Sequence, residues 1–153
     1  MAKRRKKSAG GLPAKGRLRD MADSLWSLAV RADWGNRCAA CGAGKCEAHH
    51  LVPRQHEGTR YKLECGIALC AHCHQFDSKI SPHQNAAGFI HWLGFNYPAR
   101  SLWLREHCWP EFNGTKNVQH YLDVLRQLRQ YVEPEEFERV VGVKLARLLE
   151  ETE

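Results

Sequence analysis

An α+β fold is predicted by three observations. Two Cys-x-x-Cys pairs bracket two short strand-like runs, apolar residues ahead of them recur at helical spacing, and the last third carries two apolar helical faces. Leu18 to about Arg31 forms the leading helix, with Met21, Leu25, Trp26, Leu28 and Ala29 on its apolar side and Gly35 as a stop. The runs Cys46–Val52 and Leu63–Leu69 read as the strands of a hairpin joined by a long polar loop containing Gly58 and Arg60. A helix is expected to begin near Cys70, and others at Ala86–Leu93 and Arg100–His107, where Phe89, Trp92, Leu102 and Trp103 read as core or cover. Val118, Tyr121, Leu122, Leu125, Leu128 and Val132 mark one helix. After Glu133–Pro134, the residues Phe137, Val140, Val141, Leu145, Leu148 and Leu149 mark a second, completing a C-terminal helical hairpin. This hairpin either covers the preceding module or pairs two copies of the chain as a homodimer.

The division expected is a basic flexible arm over 1–16, a compact module with its leading helix over 17–95, and a helical cover and hairpin over 96–153. The net charge of +6 is uneven: eight Lys/Arg before residue 20, among them Lys3, Arg4, Arg5, Lys6 and Lys7, oppose a lone Asp20, whereas 133–153 hold seven Glu against three Lys/Arg. A basic arm of this kind gathers phosphates through counterion release without reading sequence. The N-terminal stretch lacks the apolar core of a signal peptide, and no run approaches the ~20 apolar residues of a membrane helix, so a cytoplasmic protein with no membrane partner is expected.

In a reducing compartment, closely spaced cysteine pairs are more often metal ligands than disulfides. Cys38-x-x-Cys41 and Cys70-x-x-Cys73 make a four-thiolate cage suited to tetrahedral zinc, and a closed S4 site leaves no position for substrate, so this zinc is expected to be structural. Cys46 and Cys65 lie between the pairs as small strand residues, Cys65 being an alternative ligand. His49 and His50 are adjacent on a strand, point to opposite sides and must divide their work. His74 directly follows a cysteine of the cage, which fixes where it projects.

Between residues 37 and 79, His49-His50-Leu51-Val52-Pro53 followed by Gly66-Ile67-Ala68-Leu69-Cys70-x-x-Cys73-His74 resembles the HNH endonuclease family in order and spacing. A weaker likeness to phage-encoded and recombination-associated members runs through Ser81-Pro82-His83 and Phe89–Leu93. The resemblance implies a ββα-metal nuclease module with a structural zinc staple, hydrolysing DNA to 5′-phosphate and 3′-hydroxyl ends. It places His50 as general base, and His49 and His74 on a catalytic divalent ion, Mg²⁺ or Mn²⁺, with other divalent metals able to substitute. His83 is an additional ligand candidate, since three-histidine members of the family place one on the following helix. Arg54 and Arg60 are candidates for phosphate contact beside the cut site, with the arm residues as a looser DNA-binding element. One departure stands out: Cys65 occupies the place of the family's middle Asn, which braces the loop carrying the base, and a thiol is a weak hydrogen-bonding substitute. That substitution supports a rival reading, a zinc-ribbon DNA-binding protein of phage recombination or packaging that has lost cleavage.

Overall fold

A computed structural model describes residues 11–151 of the 153-residue chain; the arm residues Lys3, Arg4, Arg5, Lys6 and Lys7 lie outside the described residues. Helix α1 (Lys15–Asp33) leads into strand β1 (Glu47–His50), the short helix α2 (Glu57–Arg60) and strand β2 (Gly66–Leu69). A single wide helical turn, His72–Phe76, then precedes α3 (Ala86–Asn96), α4 (Pro98–His107), α5 (Val118–Arg129), α6 (Pro134–Val141) and α7 (Val143–Glu150). The architecture is α+β, with one two-stranded antiparallel sheet among helices.

The sheet is short, and its register organises the molecule. Glu47 pairs with Leu69, Ala48 with Ala68, His49 with Ile67, and His50 with Gly66. Strand alternation therefore turns Ala48, His50, Gly66 and Ala68 one way, and Glu47, His49, Ile67 and Leu69 the other. The first face lies against α1. Gly66 approaches that helix so closely that a Cβ would stand 2.3 Å from Val30 Cγ2 and 3.0 Å from the Trp26 ring. The second face closes over a smaller core in which Ile67 and Leu69 meet Cys38, Cys73, Phe89 and Leu93.

Helix α1 joins this module to the C-terminal half. Leu18, Met21, Ala22, Leu25, Trp26, Ala29 and Val30 are buried along it, and most of them share one core with Tyr121, Leu122, Leu125 and Leu128 of α5, Phe137 and Val141 of α6, and Leu145 and Leu149 of α7. Much of the apolar face of the C-terminal helices is thus covered by α1, while Leu148 and Val143 of α7 stay exposed. The second arm of the expected hairpin is two helices, not one: Gly142 takes φ +85°, a conformation a side chain resists, and turns the chain between α6 and α7. Asn85 and Asn117 cap α3 and α5 by accepting from the backbone N–H of Gly88 and His120, both at 2.9 Å.

Helix α4 departs from expectation. It buries no side chain, Leu102 is exposed, and Trp103 is half-buried and stacks on His107. Arg100 ties α4 down instead, donating to the Leu63 carbonyl at 2.7 Å and to Asp33 at 3.0 Å while lying over the Trp34 ring. No helix among the described residues is long and apolar enough to cross a membrane.

Gly66→Ala is expected to force β2 away from Val30 and Trp26 and to cost about 1–3 kcal/mol, as overpacking does in tight cores. Urea unfolding of the two proteins, read as a shift in midpoint at constant slope, checks it.

Candidate metal centres and the histidine cluster

The first Cys pair lies on a loop whose turn is closed by Gly42 N–H donating to the Cys38 carbonyl at 2.9 Å, with Gly42 at φ +74°. Ala39 N–H donates to the Ala68 carbonyl at 2.8 Å, so this loop is fastened to the sheet. The second pair opens the wide turn after β2, where His74 N–H donates to the Cys70 carbonyl at 2.8 Å. The two loops bring the Sγ atoms of Cys38, Cys41, Cys70 and Cys73 within 4.8 Å of one another. Cys41 and Cys70 are 3.6 Å apart, close to the ~3.8 Å edge of a tetrahedron whose corners lie ~2.3 Å from a zinc ion. The cluster could hold zinc. Four thiols this close cannot all ionise by themselves: burial pushes the Cys73 thiol up, whereas backbone N–H groups, chiefly that of Cys70, outweigh burial at Cys38 and bring it down to about 7. Cys65 takes no part in it. It is fully buried behind the sheet, its thiol directed at the Val52 carbonyl 3.7 Å away, and burial holds it protonated by raising its pKa.

On the same face of the hairpin, His49, His74 and His83 form a second cluster. His49 Nδ1 is 2.9 Å and His83 Nε2 3.1 Å from His74 Nε2. Those separations match the ~3.0–3.4 Å between neighbouring nitrogens on one ion with metal–nitrogen bonds of ~2.1 Å. Glu47 fixes the middle ring, its carboxylate accepting from His74 Nδ1–H at 3.3 Å and leaving the Nε2 lone pair toward the other two rings. Burial, reinforced by the neighbouring imidazoles, lowers the His49 pKa to about 3, and burial lowers that of His74. Both rings are neutral near pH 7, as metal ligation requires.

His83 lies in a turn beyond the wide helical turn rather than on a helix. Asp77 bends the chain by accepting from the N–H groups of Lys79 and Ile80 at 2.8 and 2.9 Å. Ser81, fully buried, then donates to the His74 carbonyl at 2.7 Å and accepts from His83 N–H at 3.2 Å. Ser81 thereby clips His83 back onto His74.

His50 faces the other way. Its ring stacks on Trp26, with centroids 3.7 Å apart and planes 13° off parallel, and its Nε2–H donates to the Arg60 carbonyl at 3.0 Å. That bond fixes the tautomer, so Nδ1 carries the lone pair. Burial lowers the pKa to about 4 although the Arg60 carbonyl favours the protonated ring. The loop around it is braced in several places. Leu51 N–H donates to the Cys65 carbonyl at 2.7 Å, Trp26 Nε1–H donates to the Lys62 carbonyl at 2.9 Å, and the Arg60 guanidinium reaches the Arg54 carbonyl at 3.2 Å.

The Arg60 guanidinium, a candidate for phosphate contact, grips both Asp23 oxygens at 2.8 and 2.7 Å and is only 12% exposed. Its place is structural, pinning α2 to α1, whereas Arg54 is exposed. Glu47 and Trp26 carry no signal in the sequence as site residues, because each acts through a partner distant along the chain.

Asp23→Ala should release Arg60 and loosen the carbonyl that holds His50. A loss of about 1–3 kcal/mol, the worth of charge-assisted hydrogen bonds, is expected by chemical denaturation, together with a changed His50 ring resonance in NMR spectra.

No protein-family model matches the chain, and no curated protein or solved structure matches it either.

Proposed function

We propose that the protein is a metal-dependent DNA endonuclease of the HNH kind, with structural zinc on Cys38, Cys41, Cys70 and Cys73 and a second divalent ion on His49, His74 and His83. The observation that carries this reading is the division of labour across β1: His49 joins a three-imidazole cluster, while its neighbour His50 is held as a single tautomer on the opposite face. A satisfied core histidine needs neither arrangement. When bound, the ion of the histidine cluster supplies Lewis-acid stabilisation of charge at the scissile phosphate and the leaving 3′ oxygen. His50 acts as general base: Nδ1 takes a proton from water, the resulting hydroxide attacks phosphorus, and the P–O3′ bond breaks to leave 5′-phosphate and 3′-hydroxyl ends. The Arg60 carbonyl stabilises the imidazolium formed in that step, and Trp26 keeps the ring in plane.

Three imidazoles without a carboxylate favour Mn²⁺ or a later transition ion over Mg²⁺, which prefers oxygen ligands. The missing Asn of the family pattern weighs for the rival, non-cleaving reading. The Arg60 clamp and the Trp26 stack weigh against it, because they brace the base-bearing loop without a side-chain amide at position 65.

Plasmid nicking with and without Mn²⁺ or Mg²⁺ separates the two readings, with cleavage expected to be stronger in Mn²⁺; DNA binding without nicking under any divalent ion would favour the rival. His50→Ala is expected to lower the rate ~10²–10⁴-fold while retaining metal binding. His49→Ala, His74→Ala and His83→Ala should weaken metal binding first and recover in part at high Mn²⁺.

Elemental analysis of the purified protein is expected to give one tightly held zinc per chain, lost with the fold in Cys38→Ser or Cys73→Ser, since thiolate–zinc binding supplies on the order of 10 kcal/mol. Folded, active protein free of zinc would end the assignment of the four-cysteine site.

A further inference from the structure

Where the start of α1 meets α2 and α5 lies a cavity of about 160 Å³ lined by Lys15, Arg19, Arg60 and Lys116, together with Glu57 and Tyr121. Its charge is lopsided. Arg60 is neutralised by Asp23, and Glu57 accepts from His120 Nε2–H at 2.8 Å, but the ammonium groups of Lys15 and Lys116 meet no carboxylate among the described residues. Arg19 reaches only the exposed Asp20, at 3.6 Å.

The start of α1 runs against the usual electrostatics of a helix. Gly16, in its first turn, lines the same cavity. Ala14 supplies no side-chain cap, and no acidic residue occupies the first turn, where the positive end of the helix dipole favours anions. Lys15, Arg17 and Arg19 add cations to that end. A concave surface with two unpaired lysines and an uncapped helix start is electrostatically unfavourable alone and is relieved by an anion.

We infer that this cavity binds one phosphodiester group of the DNA strand, away from the scissile phosphate. The proposal rests on the DNA reading above. Arg60 links the two places, because its carbonyl holds His50 and the residue also lines the cavity. A phosphate seated there would hold the strand beside the loop that carries the general base.

The test uses the full chain and a fluorescent DNA duplex, with anisotropy followed across a salt series in the absence of added divalent ions. K15E/K116E changes two exposed side chains and is expected to fold as the parent by circular dichroism. It should bind roughly tenfold more weakly at moderate salt, with the logarithmic salt slope reduced by about 1, the share of one phosphate contact. R105E/K144E carries the same change in net charge away from the cavity and should lose less than half as much affinity. Equal losses in the two variants, or parent-like binding by K15E/K116E, would overturn the proposal, as would failure of the parent to bind the duplex. Calorimetric titration with inorganic phosphate provides a further arm: binding abolished in K15E/K116E, with DNA affinity unchanged, would overturn it in favour of a small-anion site. A parent that binds DNA but never nicks it ends the endonuclease reading and leaves this proposal to be decided by the variants.

Discussion

A pleated strand sends successive side chains to opposite sides, and in β1 this rule acts on two adjacent imidazoles. His49 and His50 leave the strand on opposite sides, so each needs its own wall. Helix α1 supplies one, with Trp26 lying flat on His50. The cysteine loops and the turn carrying His83 supply the other, around His49. The sheet has four residues per strand and would be unstable alone. It persists because both faces are covered, and the covering elements are the ones that orient the two histidines.

The two walls are made rigid by different chemistry. On the cysteine side, short-range covalent geometry dominates: Cys73 precedes His74, and Ser81 returns the chain so that His83 meets the same ring. On the α1 side, the support is one desolvated ion pair and an aromatic stack. Breaking the Asp23–Arg60 pair costs more than breaking a surface salt bridge, because it leaves a largely desolvated guanidinium without its counter-charge. The pair also fixes a backbone carbonyl rather than merely joining two side chains, which explains how the loop keeps its shape with a thiol at position 65.

The elements readable from sequence were those governed by local periodicity. Helices α1 and α5 repeat their apolar residues at the interval their backbone imposes, and the cysteine pairs announce themselves by spacing. What escaped depends on partners far along the chain. Phe137 to Leu149 keeps an apolar face throughout, so nothing in its pattern marks the elbow; the left-handed backbone of Gly142 does. Arg60 looks like a free loop cation until Asp23, thirty-seven residues earlier, is brought beside it. Leu102 shows the reverse, an apolar residue at helical spacing whose helix is tethered by Arg100 and leaves it exposed.

The core shared by α1 and α5–α7 joins the beginning of the chain to its end, with Leu18 and Leu149 in one cluster. Helix α1 leaves the ribosome well before the residues of α5 to α7 that cover its outer stripe. Loops of more than a hundred residues must close before that stripe is dry, which places the assembly of this half late and makes it slow relative to the cysteine-bearing hairpin. Until then the nascent chain carries an exposed amphipathic helix, with Leu18, Met21, Leu25 and Trp26 available to any apolar surface it meets.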